Sequence, residues 1–459
     1  MSVPAPSIHS APGARYPDGP TFVERLLAGD FFRLNPLPFI TRSARDHGDL
    51  VHLQAAGRHI FQANHPDLIQ ELLLTDARHH HRGVVMQKAQ LVLGQGLLSS
   101  EDPHHMRQRR LAQPAFHRDR IAAYGSVIGE YTREMLQQWR SGTVRDMHDD
   151  MQLLSLRIVS KTMFDLDMEA DSRSIGHSIE AFMAFLPLAF LPASELLYRL
   201  PLPMMNRIRR SRQELDTLIY GLIAERRAAG VDRGDLLSML MQSRDTEEGT
   251  GGMTDEQVRD ECVTALLAGN ETTANGLSFA LWLMAQHPEA QQRLHQEACE
   301  ALGDRSATAS DYAALPFAHA CFAEAMRLYP PVWTIARTAS EAYEWRGFQV
   351  PRGSILLAPQ WVLHRDPRFY PDAENFRPER FLPGPEKDAR PRFAYFPFAA
   401  GSRQCIGEGL AWMEGVLILA AIARDWQLAP LAGGTTDLRL DPKVTLRPKD
   451  GVKLQLTQR

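Results

Sequence analysis

With 459 residues, 44% of them apolar and 23% charged, the chain has an ordinary globular composition and ample material for a large core. Lys and Arg number 51 against 55 Asp and Glu, a net charge of -4, which excludes a global electrostatic attraction to nucleic acid or an anionic membrane. Its four cysteines, Cys262, Cys299, Cys321 and Cys405, match neither zinc-site spacing nor a secreted disulfide framework, so a reducing, cytoplasmic setting is expected.

In chain order, residues 1–20 are rich in Pro, Ser and Ala and lack the basic and apolar regions of a signal peptide, so a flexible tail is expected. Residues 21–459 show no repeat or linker and are expected to form one domain. Leu50–Ala63 reads as two short strands around a turn at Gly57. The tract "RHHH", Arg78–His81, sets histidines side by side where they cannot face one another, and reads as solvated surface rather than a metal site. A helix opens at Pro103 in "PHHMRQRRLAQPAF". The apolar window Ala181–Ala193 is broken by Pro187 and Pro192 and falls short of the roughly 20 apolar residues of a spanning helix. It is expected to be core, lid or membrane-touching surface, not a transmembrane anchor. Another helix ends on Gly230. Thr254 and Gln257 have the spacing of a capping box, and nothing interrupts the helix they open until His287 precedes Pro288. Roughly 30 residues make about 45 Å of helix, enough to cross a domain. Pro288 then opens a helix ending near Gly303. Further strands are expected at Gly353–Ala358 and Lys453–Thr457. The sum is a mainly α fold with a small β-sheet region (α+β).

Two stretches carry chemistry. In "FAAGSRQCIG", Phe398–Gly407, one cysteine stands just before an apolar, helix-forming run. A helix N-terminus favours the thiolate of Cys405, and a buried thiolate calls for a cation. No second Cys or His lies at zinc-finger distance, whereas a lone thiolate is a known ligand of haem iron. Gly401 and Gly407 would admit a flat macrocycle, Phe398 would shield sulfur, and Arg403 would pair with a propionate. A buried structural cysteine is the plain alternative. The second stretch, "AGNETT", Ala268–Thr273, sets polar residues inside the long apolar helix, and Gly269 costs that helix about 1 kcal/mol against alanine. The plain alternative there is a Thr hydroxyl bonded back to its own helix and Glu271 in a surface ion pair.

Phe398, Gly401, Arg403, Cys405 and Gly407 match the Phe-x-x-Gly-x-Arg-x-Cys-x-Gly signature, and on them the chain resembles the cytochromes P450. The resemblance runs from about residue 30 onward. It implies a triangular prism-like helical fold with haem b (iron protoporphyrin IX) buried between the long helix and the cysteine loop, and one haem-thiolate monooxygenase domain over residues 21–459. Cys405 becomes the axial iron ligand. Ala268 and Gly269 open an oxygen-binding groove, and Glu271 and Thr272 relay protons to bound O2. "EAMR", with Glu324 and Arg327, is followed by "LYPP" and completed by Arg380 of "FRPERF". Glu-x-x-Arg recurs at Glu130, Glu256 and Glu374, so only its position links this copy to the family's structural network. His105 and Arg109, and Arg337 in "PPVWTIAR", match propionate contacts, with His104 the neighbouring candidate.

The resemblance further implies oxygenation of a small, mostly apolar substrate such as a fatty acid, terpenoid, steroid or polyketide. Candidate pocket residues are Val84, Val85, Met86, Leu97, Phe182, Phe185, Ala265, Ala268, Val332, Trp333 and Ile335. Electrons from NAD(P)H are expected through a separate ferredoxin or flavodoxin and its reductase, since no such module is attached. The basic run Arg107, Arg109, Arg110, Arg118 and Arg120 is a candidate docking surface, or else a solvated helix face. No nucleic-acid partner is expected, and a monomer is. A peroxide-driven peroxygenase is the runner-up, and a haem-based gas sensor a reading from another class.

Overall fold

The computed structural model describes residues 4–11, 13–21, 24, 35–55, 57–167, 176, 194–244, 251–431 and 437–459. Helices dominate, with small sheets among them, which is the expected fold class. The chain forms two compact units, each assembled from separate segments. One comprises Met1–Gly83, Ala323–Cys405 and Arg439–Lys449, the other Val84–Phe322, Ile406–Leu438 and Asp450–Arg459.

The first unit is built on a five-stranded sheet. Strands β1 (Leu50–Ala55) and β2 (Arg58–Ala63) form an antiparallel hairpin, turned at Gly57 with φ +73°. Ile60 of β2 pairs in parallel with Ile355 of β8 (Ile355–Ala358), which runs antiparallel to β5 (Ile335–Ala339). The edge strand β3 is His80–His81, paired with Thr338 and Ala339. The histidine tract is only in part the solvated stretch expected of it, since Arg78 is exposed while His79, His80 and His81 are half-buried. His80 reaches the Leu72 carbonyl at 3.2 Å and the Tyr343 hydroxyl at 2.7 Å, and burial pushes its pKa down to about 4. Pairing with β5, invisible in the local sequence, draws the tract inward. The described part of the N-terminal stretch is bonded to the same unit. Ser7 N–H donates to Asp49, Ile8 bridges Gly48, and His65 Nε2 lies 2.6 Å from the Pro4 carbonyl.

The second unit holds helices α2 (Val84–Leu93), α3 (His104–Ala112), α4 (Arg118–Gln137), α5 (Met147–Phe164), α6 (Pro203–Ala229), α7 (Asp255–Gln286), α8 (Pro288–Leu302) and α10 (Glu408–Asp425), with most of α9 (Pro316–Leu328). Helix α1 (Leu37–His47) belongs to the first unit. The long helix α7 has 32 residues, about 48 Å. It starts on the predicted reciprocal cap between Thr254 and Gln257 and stops at His287, where Pro288 begins α8. Of its 32 residues 23 are buried, so tertiary packing rather than helix propensity holds α7. It lies against α5 so closely that a Cβ on Gly269 would come within 3.0 Å of Val159 Cγ2. Helix α10 is likewise buried from Glu414 to Ala423. A Cβ on Gly415 would stand 2.1 Å from the Phe322 ring, while Trp412 stacks on His319 with centroids 4.3 Å apart. The three-stranded sheet β4 (Val144–Asp146), β12 (Lys453–Gln458) and β9 (Trp426–Pro430) completes this unit.

Candidate functional site

The cysteine loop follows a tight course in the first unit. The N–H of Ala399 donates to Phe396 O, that of Gln404 to Gly401 O, and that of Cys405 to Phe398 O at 2.9 Å. These bonds fold Phe398–Cys405 back on itself around a short turn at Gly401–Arg403. Gly401 has φ +74°, and a Cβ there would lie 2.4 Å from the Leu73 carbonyl oxygen. The polypeptide itself thus demands this glycine. Gly407 has φ -88°, which any residue adopts, and it caps α10 two residues after the thiol. Cys405 is exposed on the polypeptide at the end of this loop, two residues before the cap of α10. Phe398 and Arg403 are half-buried beside it in sequence.

In the same unit lies the network expected from "EAMR" and "FRPERF". Glu324 Oε2 accepts from Arg327 Nε at 2.7 Å, and Oε1 from Arg327 Nη2 at 2.8 Å, Arg380 Nε at 3.0 Å and the Arg377 N–H at 2.9 Å. All three charged side chains have no solvent exposure. Arg327 spends its remaining donors on the carbonyls of His364, Ala373 and Asn375. A buried carboxylate shared by two guanidiniums, with every fork occupied, defines one arrangement of these segments.

On α7 the residues from Val258 to Leu281 are all buried except Ala265, Ala268, Gly269 and Thr272. These stand at i, i+3, i+4 and i+7 and so form one open stripe of small side chains. Thr272 Oγ1 donates to the Ala268 carbonyl at 2.6 Å, the helix-bonded arrangement weighed above. Glu271 is buried rather than in a surface ion pair. Sequence reasoning missed Glu414, a buried acid on α10 hydrogen-bonded to Thr273. Burial pushes its carboxyl up to about 8. Its signal was present, since an acid interrupts the apolar run "AWMEGVLI".

His105, on α3, is buried, with Nδ1 3.1 Å from Asp102 Oδ1. His104 is half-buried, against Gln108 at 3.2 Å. Arg109 follows His105 by one turn and is half-buried. Arg337 is buried on β5, opposite Leu356 of β8, and donates to the Ala336 carbonyl. Of the pocket candidates, Ala265 and Ala268 lie on the stripe, and Met86 and Leu97 are half-buried in the same unit. Val332 and Trp333 lead into β5, with the Trp333 indole N–H donating to Lys443 O at 3.0 Å, and Ile335 is buried. Val84 and Val85 open α2, their side chains undescribed, and Phe182 and Phe185 lie outside the described residues.

A lone thiol ahead of a helix N-terminus and a stripe of small residues on a long buried helix suit a haem-thiolate protein. A thiolate is the only soft donor in that loop, and no side chain larger than threonine stands on the stripe to obstruct a flat group. Comparison with known proteins agrees. The family model for cytochrome P450 matches residues 17–456, and the chain belongs to that family. It is 38% identical to cyclooctat-9-en-7-ol 5-monooxygenase of Streptomyces melanosporofaciens, over 87% of this chain and 86% of the relative. It is 37% identical to cyclooctatin synthase of the same organism (90% and 89%) and 30% identical to pentalenene oxygenase of Streptomyces avermitilis (92% and 93%). The protein is an oxidoreductase of the monooxygenase type, and its family implies haem iron and O2. Among the described residues no helix is long and apolar enough to cross a membrane.

Proposed function

We propose that the protein inserts one oxygen atom from O2 into a mostly apolar terpenoid, by hydroxylation or epoxidation. The thiol of Cys405, two residues ahead of the cap of α10 and within the matched cysteine motif, carries this reading, since that motif makes it the candidate ligand of haem iron. Cys405 would hold the haem iron. Arg403, His105, Arg109 and Arg337 would pair with its propionates, and Phe398, Gly401 and Gly407 would shape the loop around the sulfur. When bound, the haem supplies oxygen activation, which the thiolate's electron donation favours. The chain supplies position and protons. Ala268 leaves space on the stripe while Gly269 lets Val159 of α5 pack close, Thr272 Oγ1 hands a proton toward the stripe after releasing the Ala268 carbonyl, and the buried Glu271 carboxyl replenishes that proton. Glu324, Arg327 and Arg380 hold the loop side in one geometry.

The terpenoid reading draws support from relatives whose names specify cyclooctat-9-en-7-ol and pentalenene, and from the apolar pocket candidates Met86, Leu97, Ala265, Val332 and Ile335. Electrons come from NAD(P)H through a reductase and a ferredoxin or flavodoxin that docks on the basic face bearing Arg118 and Arg120. The protein works as a monomer in the cytoplasm, where four cysteines outside any disulfide framework suit a reducing setting. Reduced protein exposed to carbon monoxide should show the far-shifted Soret band of thiolate-ligated haem, and Cys405→Ala should lose it. Thr272→Ala should keep the band yet consume NAD(P)H with little product. Equal coupling in that variant would remove Thr272 from the proton path, and no band in the wild type would overturn the reading.

A further inference from the structure

One turn toward the N-terminus of α7 from Ala265 and Ala268, the same side of the helix carries Glu261 and Thr264. Both are more than nine-tenths buried. Both also carry an orphan polar atom, since Thr264 Oγ1 and Glu261 Oε1 have no hydrogen-bond partner. Native structures rarely leave such atoms unpaired, so two on adjacent turns of one helix face call for a partner. The other Glu261 oxygen is occupied, as Oε2 accepts the Leu97 N–H at 3.1 Å.

The loop Gly94–Leu97 lies over this pair and is built to do so thinly. Gln95 N–H donates to Asp260 Oδ2 at 2.6 Å. Gly94, with φ +74°, has no room for a Cβ beside the Asp260 carboxylate. A Cβ on Gly96 would stand 2.3 Å from Thr264 Oγ1, so only a bare glycine fits over that hydroxyl. Asp260 is neutralised by Arg259 Nη1 at 2.8 Å, whereas Glu261 has no cation partner among the described residues. Burial pushes the Glu261 carboxyl up to about 8, so at neutral pH it carries a proton. With Oε2 accepting from Leu97, the natural place for that proton is Oε1, where it is a donor without an acceptor.

We propose that Glu261 and Thr264 form a polar recognition point for an alcohol group on the terpenoid substrate. The Glu261 carboxyl donates to the alcohol oxygen, and the alcohol proton goes to Thr264 Oγ1. Such a contact makes the enzyme selective for a substrate already bearing a hydroxyl, and it fixes which end of an apolar skeleton points along α7. The class of reaction that supplies the substrate is therefore an earlier hydroxylation, or a cyclisation quenched by water. The inference rests on the monooxygenase reading above.

The test uses full-length, haem-loaded protein and two probes differing by one hydroxyl, a cyclic terpene alcohol and its parent hydrocarbon. Binding is followed by the substrate-induced shift of the haem absorbance. The wild type should bind the alcohol about tenfold more tightly than the hydrocarbon, since the hydrocarbon leaves both buried groups unpaired. Thr264→Val, which removes one polar atom at nearly constant volume, and Glu261→Leu should each abolish most of that preference. Glu261→Gln, whose amide can still donate, should keep it. Equal affinity for the two probes in the wild type, binding of neither, or an undiminished preference in Thr264→Val would each overturn the proposal. Thr264→Val decides alone should Glu261→Leu fail to fold. Loss of the carbon monoxide band in the wild type would instead strike the monooxygenase reading itself.

Discussion

Single residues in this protein show how burial sets protonation. Glu414 sits among the apolar side chains of α10, and Thr273 is its hydrogen-bonding partner. Its carboxyl is pushed up to about 8 from an ordinary 4.5, with burial the largest cause and the Thr273 bond opposing it. The folded state therefore holds a proton that the unfolded chain releases above pH 4.5. The stability attached to this group is fully present below the unfolded value and is lost as pH rises through 8. Glu414→Gln keeps an acceptor for Thr273 and removes the ionisation. Thermal unfolding of the variant should accordingly fall off less between pH 5 and 8.5 than that of the wild type. Parallel curves would show that Glu414 ionises freely in the folded protein. Thr272 makes a different point at the same scale. Its hydroxyl is bonded to Ala268 O, so the proposed proton transfer through it requires a rotation that frees it from the helix.

At the level of elements, local chemistry and long-range packing divide the work. Helix α7 announces both its ends, the Thr254–Gln257 cap and the His287–Pro288 stop, because capping and proline effects act within a few residues. The cysteine loop is different. Ala399 takes φ +61° and Gly401 φ +74°, and Gly401 is held there by the Leu73 carbonyl of a segment more than 300 positions away in sequence. Gly401→Ala meets both the left-handed backbone and that carbonyl. It should cost about 1–3 kcal/mol in backbone strain alone, read by denaturant unfolding, and should lower the haem content of purified protein. Unchanged stability and haem content would show that the loop can shift away from Leu73. Glycine in this motif thus serves the chain's own packing, a role that motif spacing does not reveal.

For the molecule as a whole, a net charge of -4 conceals a local excess of cations. Arg118 and Arg120 are exposed at the start of α4, while Arg107 is turned onto the carbonyls of Gly251 and Gly252. Of the arginines proposed to dock an acidic electron carrier, the former pair is therefore the more accessible. With a reconstituted ferredoxin system, KM for the carrier should rise several-fold between low and physiological salt, and the double variant Arg118→Glu, Arg120→Glu should raise it at low salt. A KM indifferent to both would move the docking site elsewhere on the surface.

Much of the fold, and the motifs from which the site is proposed, are written in local sequence. Helix caps, the strand pair around Gly57, the lone cysteine before an apolar helix and the polar interruption at Ala268–Thr273 all depend on neighbours within a turn or two. The link from Glu324 and Arg327 to Arg380, which lies 56 positions beyond Glu324, was legible only by resemblance to a family. What the linear order concealed depends on segments distant in sequence meeting in space. Pairing with β5 drew His80 inward, Leu73 dictated Gly401, and Gly96 closed over Thr264. Burial then raised Glu261 and Glu414 far above the usual carboxylate range. Desolvation is a property of surroundings, and those surroundings exist only once the chain has folded.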